Sequence, residues 1–221
     1  MIQGNPLEII ILSSVCRFFR RILNSDLWHF FKKNLPKINS INVLVSGEGA
    51  VGKTSLVVAY IEGRFNYDYD PTIEDRNCKR VTHDGLNLMV NMEDYNGEYD
   101  AAYFERLYRE ADAVLLVYSL IDNGTLEAGL TKCVLMNPHV PIFIAANKCD
   151  MDDGNTTIAE SQKYADNTTK NVQGSIVRTS AKTNANVEQI FNRIVIKVFR
   201  ERMKVNDLYK KVLLSLSAQN K

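Results

Sequence analysis

Short β-type runs rich in apolar residues alternate along this chain with longer stretches whose apolar positions recur at helical spacing. Ile41 to Ser46, Leu86 to Glu93, Ala113 to Leu120, Pro141 to Ala146 and Ser175 to Thr179 read as buried strands. Gly52 to Glu62, Ala101 to Glu110, Thr125 to Met136, Thr157 to Asn167 and Asn186 to Arg202 read as helices. A run such as Ala113-Val114-Leu115-Leu116-Val117 has no polar face, which is what a strand covered on both sides requires. The alternation predicts a doubly wound, mainly parallel α/β sheet. Ahead of it, Leu35-Pro36-Lys37-Ile38-Asn39-Ser40 breaks off an aromatic-rich segment. A helical extension over residues 1–40 is therefore expected ahead of the α/β domain.

Composition narrows the functional classes. With 27 basic and 26 acidic residues in 221, the formal charge is +1, too little for a long-range field that gathers nucleic acid or an acidic membrane. The uncharged stretch Ile9 to Cys16 is eight residues long, far short of the roughly 18 that a membrane span needs. No basic residue precedes it, as a secretory signal would require. Cys16, Cys78, Cys133 and Cys149 are scattered, without the paired spacing of a zinc site or a disulfide framework. A reducing, cytoplasmic compartment is expected.

Chemistry concentrates at two strand ends. Gly47-Glu48-Gly49-Ala50-Val51-Gly52-Lys53-Thr54 fits G-x-x-x-x-G-K-[ST], directly after a predicted strand and opening a predicted helix. Its glycines let backbone N–H groups turn toward a phosphate chain, and the helix N-terminus adds partial positive charge. Lys53 can neutralise the β- and γ-phosphates, the Thr54 hydroxyl can ligate Mg²⁺, and the phosphate-binding stretch runs on to Ser55. The alternative is a glycine-rich turn with no ligand.

The base is read elsewhere. Asn147-Lys148-Cys149-Asp150 follows an apolar strand, where an aspartate can accept from the N1–H and exocyclic amine of guanine, a donor pair adenine does not present. Asn147 can tie this loop to the phosphate loop, and the alkyl part of Lys148 can cover a face of the base. In Thr179-Ser180-Ala181-Lys182, the Ala181 N–H can meet the guanine carbonyl. Taken alone, Asn-Lys-x-Asp is also compatible with a polar turn; a phosphate loop upstream favours the nucleotide reading.

On these residues the chain resembles a Ras-family small GTPase over about Ile41 to Lys204. Tyr69-Asp70-Pro71-Thr72-Ile73-Glu74-Asp75 is similar to the first switch of the Ras and Rap group. The resemblance implies a P-loop G domain with a six-stranded, mainly parallel sheet wrapped by five helices, and GTP or GDP with Mg²⁺ as ligands. It implies that Phe65 packs against guanine, that Tyr69 and Pro71 border the phosphates, and that Thr54, Thr72 and Asp94 hold the metal. Lys53, Thr72, Gly97 and Glu98 would serve hydrolysis. Effector domains of the Ras-binding type, an exchange factor and an activating protein are the implied partners. The second switch departs from the family: Asp94-Tyr95-Asn96-Gly97-Glu98 stands where Asp-Thr-Ala-Gly-Gln is usual, so slow hydrolysis is expected.

The two ends carry separate expectations. Leu7, Ile11, Val15, Phe18 and Ile22 recur at helical spacing and suit a stripe packed on the domain. Pro6-Leu7-Glu8-Ile9, Val15-Cys16-Arg17-Phe18-Phe19-Arg20 and Asp26-Leu27-Trp28 also resemble an incomplete F-box, which implies a ubiquitin-ligase adaptor bound through residues 1–38. The rival function is therefore a non-hydrolysing nucleotide-bound module acting as a ligase substrate receptor. The tail Val205 to Leu216 reads either as a weak interfacial helix or as a helix docked on the domain, and the absence of a terminal C-a-a-X box predicts no prenyl anchor.

Overall fold

The first apolar run forms β1 (Ser40–Ser46), a strand with neighbours on both sides. The computed structural model describes residues 39–65, 77–94, 101–122, 124–152 and 158–219. In chain order the elements after β1 are α1 (Lys53–Glu62), β2 (Asn77–His83), β3 (Leu86–Asp94), α2 (Ala101–Glu110) and β4 (Ala113–Ser119). They continue through α3 (Gly124–Met136), β5 (Ile142–Asn147), α4 (Ile158–Thr168), β6 (Val177–Arg178) and α5 (Val187–Gln219). The F-box-like segment lies outside the described residues.

The strands form one six-stranded sheet in the order β2-β3-β1-β4-β5-β6. β1 runs parallel to β3 and β4, β4 to β5, and β5 to β6. β4 and β5 are buried along their whole length because helices cover both faces of the sheet. On one face Leu44, Val114, Leu116, Ile142 and Ile144 pack with Leu126, Leu130, Cys133 and Ala165 of α3 and α4. Tyr60 of α1 stacks on Phe191 of α5 with ring centroids 4.0 Å apart. The register sets Val45 beside Asp94 and Ser119 beside Asn147, so the carboxyl ends of β1, β3, β4 and β5 meet at one edge. That edge is where open α/β sheets bind their ligands.

Three elements differ from the sequence expectation. β2 was not marked by an apolar run: Asn77–His83 alternates half-buried and exposed positions, as an edge strand does. It joins β3 through Asp84-Gly85, both at positive φ (+49° and +76°), the two-residue turn whose twist suits a hairpin. β6 is only two residues long. α5 continues to Gln219 without a break at 204/205, because no glycine or proline between Val187 and Gln219 stops it.

The described residues fall into two compact units. One, Ser40–Arg80 with Met89–Val198, contains the parallel strands and every site residue discussed below. The other includes the hairpin tip Val81–Leu88 and α5 from Phe199 onward, where the His83 ring meets the Phe199 ring edge-on at 5.0 Å. No helix among the described residues is long and apolar enough to cross a membrane.

Candidate functional site

The chain leaves β1 through a turn that only glycine can make. A Cβ on Gly47 would sit 2.1 Å from the Val117 carbonyl oxygen, and one on Gly52, at φ +94°, would sit 2.5 Å from Asn147 Nδ2. Gly52 is also the N-cap of α1, which has no side-chain cap and no acidic residue in its first turn. The helix thus presents backbone N–H groups and partial positive charge to the loop, with no carboxylate of its own first turn to neutralise them.

Lys53 folds over that loop, donating to the Gly47 and Glu48 carbonyls at 3.1 and 2.9 Å. Burial lowers its pKa, against the opposing fields of Asp94 and Glu48. Next to it Thr54 Oγ1 donates to Asp94 Oδ2, while Asp94 Oδ1 is buried with no hydrogen-bond partner among the described residues. Burial pushes the Asp94 carboxyl above its usual range, with the Thr54 bond and Lys53 pulling the other way. A hydroxyl and a desolvated carboxylate, one oxygen of it unpartnered, are the hard oxygen donors that suit Mg²⁺.

At the far end Asn147 holds three segments together. Buried at 2% exposure, its Nδ2 donates to Val51 O at 2.9 Å, and its Oδ1 accepts from Thr179 Oγ1 and the Ala181 N–H, both at 3.3 Å. The Ala181 N–H, expected to meet a base carbonyl, is thus directed at Asn147. Cys149 N–H donates to Thr179 O at 3.0 Å, binding the two base loops along their backbones. Ser180 donates to Asp150 Oδ1 at 2.5 Å and accepts from the Thr183 N–H at 3.1 Å, which fixes the carboxylate on the pocket wall.

Between these ends lies a pocket of about 390 Å³. Its phosphate-loop wall comes from Gly49, Ala50, Gly52, Lys53, Thr54 and Ser55, with Asp94 beside them. Its other wall comes from Phe65, Asn147, Lys148, Asp150, Ala181 and Lys182. Gly47, Glu48, Val51 and Ser180 stand behind the lining and shape it through the contacts just described. Tyr69, Pro71, Thr72, Gly97 and Glu98 lie outside the described residues. Met151 also lines the pocket, and no sequence signal marked it. Arg178 pairs with Asp152 at 2.5 Å and so braces the base loops; its place just before the Thr179 loop was the only hint.

The fold and this two-ended pocket define the class, an α/β P-loop protein of the GTPase kind. Residues 42–200 match the Ras family. The chain is 31% identical over 169 residues to Ras-like protein rasZ and 32% over 164 to Ras-like protein rasW, both of Dictyostelium discoideum. To Ras-like protein 2 of Drosophila melanogaster it is 29% identical over 185 residues. These alignments cover 73%, 71% and 79% of this chain and 77%, 74% and 95% of the three relatives. The chain belongs to the Ras family of small GTPases, whose members bind GTP or GDP with Mg²⁺.

Proposed function

We infer that this chain is a guanine-nucleotide switch that hydrolyses GTP slowly. The Asn147 node carries the reading, because one buried side chain ties the phosphate loop, through Val51 O, to the Thr179–Ala181 loop, whose Ser180 holds Asp150 at the other end of the same pocket. The α1 N-terminus and Lys53 would hold the phosphates, and Asp150, steadied by Ser180, would accept from guanine N1–H and its amine. Phe65 and the Lys148 stem would flank the base. Thr54 and Asp94 would hold Mg²⁺, which supplies charge neutralisation for phosphoryl transfer. Thr72 would join them from the first switch.

No covalent step on the protein is needed: water attacks the γ-phosphorus, the bond to the β-γ bridging oxygen breaks, and phosphate leaves GDP. The family's glutamine orients that water and donates toward the transferring group. Glu98 keeps an acceptor, lacks the amide donor and brings negative charge beside an anionic transition state. It would also divert an incoming arginine finger into an ion pair. The match at Tyr69 to Asp75 supports effector domains of the Ras-binding type as partners of the GTP form.

Chromatography of the nucleotide released from purified, denatured protein tests the base assignment; adenine nucleotide in place of GDP or GTP would overturn it. Single-turnover phosphate release tests the chemistry. Basal hydrolysis should be slow and respond poorly to a Ras-type activating protein, and Glu98→Gln should restore part of the response. Strong stimulation of the unmodified protein would refute the role given to Glu98, and failure of both forms would move it to Tyr95 and Asn96.

A further inference from the structure

Lys79 connects three elements that bear on the pocket without touching the pocket itself. Its ammonium donates to the Tyr60 carbonyl at 2.7 Å and to Glu188 Oε2 at 3.0 Å, and lies 4.0 Å from the centroid of the Tyr60 ring. Tyr60 stands in the last turn of α1, where carbonyls run out of intrahelical partners and the helix dipole is negative. That turn has no basic residue of its own, so a lysine from β2 supplies the cation that the end of α1 lacks. The helix closes at Gly63, whose N–H returns to Ala59 O, and two residues further on Phe65 lines the base end of the pocket. Asn184 reaches the Gly63 carbonyl at 3.4 Å from the loop that carries Ala181, and Glu188 stands in the first turn of the helix that follows that loop. The position of Phe65 and the seating of the Ala181 loop therefore share one anchor.

We propose that Lys79 is a positioning residue for bound nucleotide: by capping α1 and holding Glu188 it keeps Phe65 at the base end and sets how fast the nucleotide leaves. This rests on the guanine-nucleotide reading above. The cap acts on the exit of α1, so its loss should speed dissociation more than it slows association.

The test uses the full chain loaded with N-methylanthraniloyl-GDP and Mg²⁺ and chased with unlabelled GDP. Lys79→Met keeps the apolar stem and removes the cap; dissociation should accelerate about five- to tenfold, in line with a partly buried charge at a helix end. Lys79→Arg should return the rate to within about twofold of wild type, since a guanidinium can also donate to Tyr60 O and Glu188. In a Phe65→Ala background the Lys79→Met effect should largely disappear, because both changes act through the same ring. Lys79→Gln, too short to reach Tyr60 O, reads the same loss if the methionine variant folds poorly. A Lys79→Met rate within about twofold of wild type, or an acceleration that simply adds to that of Phe65→Ala, overturns the proposal even if the melting temperature falls. Wild-type protein that takes up no labelled GDP overturns the nucleotide reading and this proposal with it.

Discussion

Replacing Asn147 by Ala should destabilise the protein before any ligand is considered. Val51 and Ala181 are 1% and 4% exposed, so the Val51 carbonyl and the Ala181 N–H would both be left buried without the partner they have now. An unsatisfied buried group costs about 1–3 kcal/mol, so the two together put the loss at about 2–6 kcal/mol, to which the Thr179 hydroxyl, free to rotate, adds little. That is a large part of the roughly 5–15 kcal/mol that holds a domain together. Urea titration of nucleotide-free protein measures it, as a lower midpoint at unchanged slope. Asn147→Asp separates the two halves of the node. It keeps acceptors for Ala181 and Thr179 but turns a carboxylate oxygen on Val51 O, unless protonated, when it can donate as the amide did. The folded state would take up that proton more readily than the unfolded chain, so stability should fall as pH rises, with recovery near about pH 5 relative to about pH 8. A loss below about 1 kcal/mol for Asn147→Ala, or an Asn147→Asp variant indifferent to pH, would refute the node as the connection between the loops.

Asp150→Asn should cost on the order of 2–3 kcal/mol of GTP affinity by removing a charge-assisted acceptor, with xanthine nucleotides bound relatively better in competition titrations; undiminished GTP preference would count against the base pocket. Asp94→Asn replaces a desolvated carboxylate by a neutral amide, so the nucleotide-free protein should melt higher while the extra stability conferred by Mg²⁺ with GDP is lost. Scanning calorimetry with and without Mg²⁺ reads both effects, and a Mg²⁺ response equal to wild type would exclude Asp94 from the metal site. Tyr108→Phe deletes a buried hydroxyl bonded to Ser46 Oγ at 2.7 Å and Cys133 Sγ at 3.4 Å and should cost about 1–2 kcal/mol in urea. No change would mean that Ser46 finds another partner.

By itself the sequence determined the layered α/β class, because strands buried on both faces must be nearly continuously apolar, as β4 and β5 are up to their carboxyl ends. It also placed the phosphate loop and the Asn147 to Asp150 loop at strand ends, since both motifs are contiguous and their glycines and carboxylate carry chemistry wherever they stand. β2 escaped notice because an edge strand with one wet face carries little apolar signal, and it is that strand which brings Lys79 to the end of α1. Only the tertiary structure decided that Asn147 serves three segments, that Ser180 stands behind Asp150 while Ala181 lines the pocket, and that one Asp94 oxygen is buried without a partner among the described residues. These features are hydrogen bonds and desolvation between residues 30 to 96 positions apart in the chain. Periodicity and local spacing report a residue's own element, whereas partners at that separation are chosen by the order in which the strands lie side by side.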